Sequence, residues 1–262
     1  MEINVIGVGV TGYATAEVLR RLGHLVRIHD ADLDRQAELE GLGYMPLVAG
    51  CGEVTFFCVP EWKLEDALES TLNGGLWVVR STTRPGDTRA FQETHSRHIV
   101  HLPEFLREST ALADALTPDR IVVGECCQEH GNLVIDLFAP LMAPIVRTDS
   151  ATSEMVKLVS NAHLSTLISF WNEVHQICER FQINSTVLGR AVSMDNRISP
   201  YGAVMHGKPF GGFCLPKDLN ALINAAELVS CQPVLLESVR QVNRNLEANG
   251  ATQIANGRMA RI

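Results

Sequence analysis

No apolar run among the 262 residues approaches the length a helix needs to cross a bilayer, so no membrane span is expected. The N-terminus, Met-Glu-Ile-Asn, has no basic region leading into an apolar core, and no secretory leader is expected either. Positive charge is in deficit. The formal net charge of −8 argues against a nucleic acid or an anionic membrane surface as partner, while leaving room for a local basic pocket that holds a small anion. Internal repeats and low-complexity segments are absent. Seven cysteines, odd in number and scattered, read as reduced thiols of a cytoplasmic protein, not as a disulfide framework. A metal site is not expected. Cys126-Cys127 with His130 has no second ligand pair at usable spacing and reads as the start of a helix. His95, His98 and His101 recur every third residue, but they pass from a helix end into a strand and need not share a face.

The remainder has an ordinary composition for a soluble globular protein, 46% hydrophobic and 20% charged, and a length that suits about two domains. Residues 2–6 form a short apolar strand. Gly7-Val8-Gly9-Val10-Thr11-Gly12 follows at once, and a helical pattern covers residues 13–22. In this strand–turn–helix, Gly7 permits a tight turn, Gly9 lets a pyrophosphate approach the backbone, and Gly12 lets helix and strand pack closely. The free N–H groups at the helix start, Val10 onward, face the phosphates. The next strand, residues 25–29, ends in Asp30, where an acid that binds a ribose hydroxyl and repels a 2′-phosphate belongs. NAD is therefore the expected cofactor, although Arg35 nearby is a residue type that serves a 2′-phosphate.

Strands at 54–58, 76–79, 99–101, 121–123 and 145–147 alternate with helices, which predicts a parallel, doubly wound sheet. Ligands of such sheets lie beyond the carboxyl ends of the strands. Gly7–Gly12, Val59-Pro60, Ser81-Thr82 and the stretch 103–108 all follow strands and should gather at one crevice. From Ala151 the character changes to a helix of about thirty residues, then shorter helices at 185–193, 216–229 and 233–246, with residue 247 onward frayed. The expected fold is a Rossmann-like α/β domain over 1–150 and an all-α domain over 151–262, the latter for substrate and dimerisation.

Lys157 and Asn161 are four apart and share a helix face. They either point together into a cleft or form a solvated polar edge. Cys214 follows the glycine-rich run 207–212 and precedes Pro216 and Lys217. It is either a plain cysteine after a turn or a thiol ionised by a helix start and a neighbouring ammonium, and so a nucleophile for a carbonyl carbon.

Taken together, Gly7–Gly12 with Asp30, Arg80-Ser81-Thr82, Pro103-Glu104-Phe105-Leu106-Arg107-Glu108, Lys157 with Asn161, Ile168-Ser169-Phe170-Trp171-Asn172-Glu173, Asp195-Asn196-Arg197-Ile198 and the run from Phe210 to Asp218 resemble the UDP-glucose/GDP-mannose dehydrogenase family. The resemblance implies oxidation of a nucleotide-sugar alcohol to the acid with two NAD molecules. It implies that Cys214 forms a thiohemiacetal and then a thioester, that Lys157 and Asn161 hold the reacting oxygen, and that Asp218 and Thr82 position water. It implies Glu104 as the base for hydrolysis. Glu108 and Lys217 are expected near the cofactor, together with Val59 and Pro60. Phe105, Leu106, Arg107, Lys208, Gly211 and Arg197, the last supplied to a neighbouring subunit of a homodimer, are expected at the substrate. The family carries a further nucleotide-holding domain, and this chain stops at Ile262. The expectation is therefore an NAD(H)-dependent oxidoreductase that interconverts an alcohol and a carbonyl on a small anionic substrate. The alternatives are a nucleotide-sugar 6-dehydrogenase working through Cys214 and an inactive NAD-binding dimerisation protein.

Overall fold

The computed structural model describes residues 1–71, 75–204, 207–212 and 214–259, with side chains described as far as residue 248. Contacts divide the chain into two compact units, Met1–Lys157 and Leu158–Ile262.

In the first unit, β1 (Glu2–Ile6), β2 (Leu25–His29), β3 (Met45–Pro46), β4 (Val54–Phe57), β5 (Leu76–Val79), β6 (Ile99–His101), β7 (Ile121–Gly124) and β8 (Ile145–Thr148) form one sheet in the order β3-β2-β1-β4-β5-β6-β7-β8. The connecting helices are α1 (Val10–Arg21), α2 (Leu33–Gly41), α3 (Glu61–Ser70), α4 (Asp87–His95), α5 (Ala111–Leu116) and α6 (Gln128–Phe138). Strands β4 to β7 are buried at every position because helices cover both faces. Ile3, Val5, Phe56 and Val78 pack with Ala16, Leu19, Val134 and Phe138. The alternate residues Ile6, Phe57, Trp77 and Val79 pack with Leu64 and Leu68 of α3. The pleat's period of two thus divides each strand between two cores.

The predicted strands are present, and β3, two residues long, is additional; it is too short to carry a period. Asn73 and Gly74 of the expected turn lie outside the described residues, while Gly75 has a positive φ of 79°. The wholly parallel sheet needs correction. β1 to β6 are parallel, but β6 meets β7 antiparallel, with His101 opposite Gly124, and β8 follows β7 in parallel. The 102–120 connection is no shorter than the 80–98 connection, which returns β6 parallel to β5, but it holds only a 3₁₀ turn and the six residues of α5, which lies on α1. The chain therefore enters β7 from the end at which it left β6.

The second unit is helical, with α7 (Ser150–Arg180) running into it from the first, then α8 (Ser185–Val192), α9 (Cys214–Leu228) and α10 (Val234–Met259). Its core is Ala162, Phe210, Leu219, Ile223 and Val239. Two boundaries differ from expectation. α9 begins at Cys214, with Pro216 inside its first turn, where the missing N–H costs nothing. α10 runs past the expected end at 246 to Met259, since no proline interrupts 247–259 and its two glycines, Gly250 and Gly257, cost a helix only about 1 kcal/mol each.

Glu17 of α1 is buried and ties this helix to the chain before β3. Its carboxylate accepts from the Tyr44 hydroxyl at 2.6 Å and from Arg20 and Arg21 at 2.7 Å each. Burial alone would raise its pKa, but the Tyr44, Arg21 and Arg20 bonds outweigh that and bring it from 4.5 to about 2. A depressed carboxylate stabilises the fold above its unfolded pKa and loses that contribution as pH falls through the folded one. Stability should therefore fall between about pH 4.5 and pH 2, by about 2–3 kcal/mol from this group. Glu17→Gln should lower stability at pH 7 and flatten that part of the profile in urea titrations. An unchanged acid limb in the variant would show that Glu17 is not responsible.

Candidate active site

The sheet reverses its winding between β1 and β4, and the glycine turn sits at that point, where ligands of open α/β sheets bind. Gly7 has φ 81°, and a Cβ on it would lie 2.7 Å from Val59 Cγ1. A Cβ on Gly12 would lie 1.7 Å from the Gly7 carbonyl oxygen. Both glycines are therefore required by packing. A Cβ on Gly9 would meet nothing within 4 Å, so the space beside Gly9 is open to a ligand. Gly9 is the N-cap of α1, no side chain caps the helix, and its first turn, from Val10, carries no acid. Its dipole and N–H groups are left for an anion.

Asp30, at the end of β2, accepts from the Val8 N–H at 2.6 Å, and Arg35 donates to the Val8 carbonyl at 3.0 Å. Both side chains thus grip the turn, and Glu38 neutralises Arg35 at 2.6 Å. An open cradle, an uncapped helix start and an acid beside the turn fit a dinucleotide with a free ribose hydroxyl. Pro60 caps α3, next to Val59.

Farther along the same strand ends, Lys157 of α7 is 4% exposed. Its ammonium donates to Glu104 Oε1 at 2.9 Å and to the Glu104 carbonyl at 2.8 Å, while Oε2 accepts from the Leu106 N–H at 2.7 Å. Burial pushes the Glu104 pKa up, but the Lys157 charge and hydrogen bond, the Leu106 N–H and Arg80 prevail and hold it below the usual carboxylate range. Phe105 lies between two cations, with Arg120 4.0 Å and Lys157 5.7 Å from its ring centre. Thr82 is half-buried after β5. Its neighbour Ser81 donates to the Val59 carbonyl at 2.6 Å, which links the ends of β4 and β5.

Two further residues expected at ligands, Arg107 and Glu108, lie on the stretch after Leu106. Arg107 is exposed and forms a two-pronged pair with Asp114, at 2.6 and 3.0 Å. Glu108 is exposed and opens the 3₁₀ turn.

In the second unit, Asp218 is fully buried. It accepts from Asn161 Nδ2 at 2.5 Å and pairs with Lys217 at 2.5 Å. Cys214, one helical turn before Asp218, is exposed in the first turn of α9. Gly211 is open, Gly212 has φ 72°, and Phe213 lies outside the described residues. Arg197 stands on an exposed turn, paired with Asp195 at 2.6 Å.

Three residues escaped the sequence reading. Asn172 accepts from the Gly207 N–H at 2.7 Å and donates to the Lys208 carbonyl at 2.8 Å. Asn243 accepts from the Phe210 N–H at 2.7 Å and donates to its carbonyl at 3.1 Å. The two amides fasten the run ahead of Cys214. Asn243 stands four residues after the buried Val239, a polar residue on an apolar face, and that is a usable signal. Glu154, in sequence no more than an acid near a helix start, accepts from Gly86 N–H at 2.6 Å, Thr88 N–H at 2.8 Å and the Thr88 hydroxyl at 2.5 Å, and so caps α4.

Two family models match the chain: the NAD binding domain of the UDP-glucose/GDP-mannose dehydrogenase family over residues 63–142, and its central domain over 151–245. UDP-glucose 6-dehydrogenase YwqF of Bacillus subtilis is 39% identical over 62% of this chain and 36% of its own length. The UDP-glucose 6-dehydrogenase of Rickettsia prowazekii is 37% identical over 69% of this chain and 43% of its own. The chain thus spans under half of these two relatives. UDP-glucose 6-dehydrogenase AglM of Haloferax volcanii is 30% identical over 93% of this chain and 69% of its own length. Among solved structures, a UDP-glucose dehydrogenase from Pyrobaculum islandicum superposes with a TM-score of 0.85 at 26% identity, over 99% of this chain and 71% of that one.

The two glycines make opposite predictions. Gly9→Ala should leave thermal stability within about 0.5 kcal/mol and weaken NAD binding at least about tenfold, read by calorimetric titration. Gly12→Ala should lower stability by about 3 kcal/mol through its clash with Gly7. Wild-type NAD affinity in Gly9→Ala would refute the cradle.

Proposed function

The chain belongs to the UDP-glucose/GDP-mannose dehydrogenase family, and from that premise we propose that it is a nucleotide-sugar dehydrogenase that takes a primary alcohol to a carboxylate. The relatives, each called a UDP-glucose 6-dehydrogenase, favour this reading over the small anionic substrate expected from the sequence. Arg107 and Arg197 lend that smaller substrate little support, since both already hold carboxylates.

The observation that carries the proposal is the start of α9. Cys214 is exposed in the first helical turn, and the buried Asp218 follows it by four residues with Asn161 and Lys217 bonded to it. The dipole of a helix start favours a thiolate. Structural cysteines are usually buried, so an exposed one here suits a nucleophile.

NAD, for which Gly7, Gly9, Gly12 and Asp30 fit, supplies when bound the acceptance of one hydride in each of two oxidations. The chain's own residues supply the rest. Lys157 and Asn161, one turn apart on α7, donate to the reacting oxygen and stabilise negative charge on it. The Cys214 thiolate adds to the aldehyde carbon, forming a C–S bond and a thiohemiacetal, whose oxidation gives a thioester. Glu104, kept ionised, takes a proton from water held with Thr82. The water oxygen bonds to the acyl carbon, the C–S bond breaks, and the thiolate is restored. Two NAD⁺ and one water enter; two NADH, three protons and a carboxylate leave. A homodimer in the cytoplasm belongs to the same proposal, with Arg197 exposed where a second copy can reach it.

With UDP-glucose and NAD, the enzyme should release two NADH per acid formed. Cys214→Ser should lose acid formation by at least about 10³-fold while still interconverting alcohol and aldehyde. Acid formed by this variant at the parent rate would remove the thioester from the mechanism.

A further inference from the structure

The antiparallel join between β6 and β7 brings together residues that are far apart in sequence. His101 lies opposite Gly124, and three more residues along that register set His98 opposite Cys127. Cys126 and Cys127 lead into α6, Cys127 is its N-cap with no side-chain capping bond, and His130 stands in its first turn. The His130 Nδ1 lies 3.0 Å from Cys127 Sγ and 3.6 Å from Cys126 Sγ, and His98 Nδ1 lies 3.7 Å from Cys126 Sγ. The two imidazole rings have centres 4.4 Å apart and are tilted by 38°. One ligand atom from each of the four residues falls within 4.8 Å of all the others. His98 thus provides the fourth ligand whose absence from the local sequence makes Cys126-Cys127-His130 read as helix-start residues.

We propose that His98, Cys126, Cys127 and His130 form a structural zinc site. Two thiolates and two imidazoles are a closed tetrahedral set for zinc. They offer no oxygen for calcium or magnesium, and with all four ligand atoms within 4.8 Å of one another they suit one ion, not the two irons of a Rieske-type cluster that uses the same donor types. Bonds of roughly 2.0–2.3 Å around a tetrahedral ion place ligand atoms about 3.3–3.8 Å apart, so the cluster closes with a small contraction. His98 is exposed and the other three are partly buried, which gives an ion a way in. The four residues lie at the end of β6 opposite Leu102 and Glu104, away from the glycine turn, so the ion would fasten the start of β6 to the start of α6 and take no part in oxidation. On binding, Zn²⁺ displaces a proton from each thiol and forms two Zn–S bonds with no change of oxidation state. The proposal is independent of the substrate.

The full chain, kept reduced and stripped by a chelator, is titrated with zinc alone against a chromophoric competitor, and separately with cobalt(II). The expected result is one zinc per chain with a dissociation constant on the order of nanomolar or tighter, two protons released, and a cobalt spectrum with thiolate charge-transfer and tetrahedral d–d bands. Cys127→Ser and His98→Ala should each weaken binding at least about 100-fold, whereas Cys231→Ser, outside the cluster, should not. His98 is a surface residue, so its variant stays folded by circular dichroism even where the cysteine variant does not. Absence of stoichiometric zinc, a Cys126–Cys127 disulfide in its place, or undiminished affinity in His98→Ala overturns the site.

Discussion

Lys157 can be buried in α7 only because Glu104 is buried opposite it. An ammonium removed from water needs a counter-charge and acceptors, and Glu104 provides both, through one carboxylate oxygen and its own carbonyl. The geometry fixes the turn after β6 as well, because the other carboxylate oxygen takes the Leu106 N–H. Removing either partner would leave the other charge stranded, a loss of about 3–5 kcal/mol. The pair is therefore a structural constraint, whatever chemistry it serves. It holds Phe105 between Lys157 and Arg120, and keeps Glu104 ionised in a setting where burial alone would favour the neutral acid.

The second unit solves the same problem with amides. Asp218 is sealed from solvent and satisfied by Asn161 and Lys217. The glycine-rich run ahead of Cys214 is held at its backbone by Asn172 and Asn243, and by Phe210 in the helical core. Backbone groups in such a run have no helix or strand to satisfy them. A side-chain amide, which donates and accepts at once, meets an N–H and a carbonyl together. Glycines that free the chain to turn and asparagines that fix it again define the backbone from Gly207 to Phe210.

How legible this was in the sequence depended on whether the signal was local. Gly7, Gly9, Gly12 and Asp30 could be read because strand, turn and helix follow one another within thirty residues and each glycine has its own steric reason. Asp218 entered only through the family resemblance, whereas Lys157 with Asn161 could be read from helical spacing. Pairings across long separations could not: Glu104 with Lys157, Glu154 with the start of α4, Asn243 with Phe210. The pairs of Arg107 with Asp114 and of Arg197 with Asp195 had no sequence signal either, since both acids are ordinary surface residues until the folded backbone sets each against a guanidinium. The reversed direction of β7 had no local signature either. Strand-by-strand reading assigns no direction.

That reversal separates two kinds of chemistry. Strands β1, β4, β5 and β6 are parallel, so their C-terminal segments emerge at one end of the sheet, where the glycine turn, Val59, Ser81 and Glu104 are found. β7 runs the other way, so Cys126-Cys127 and the start of α6 emerge at the opposite end, beside the chain that leads into β6. Had β7 been parallel, these two thiols would have opened toward the crevice, close to an oxidation that is to use a single thiol. The inverted strand puts them instead against His98 and His130, where they can serve only the sheet. One antiparallel pairing thus keeps these two thiols away from the glycine turn and from the strand ends beside it.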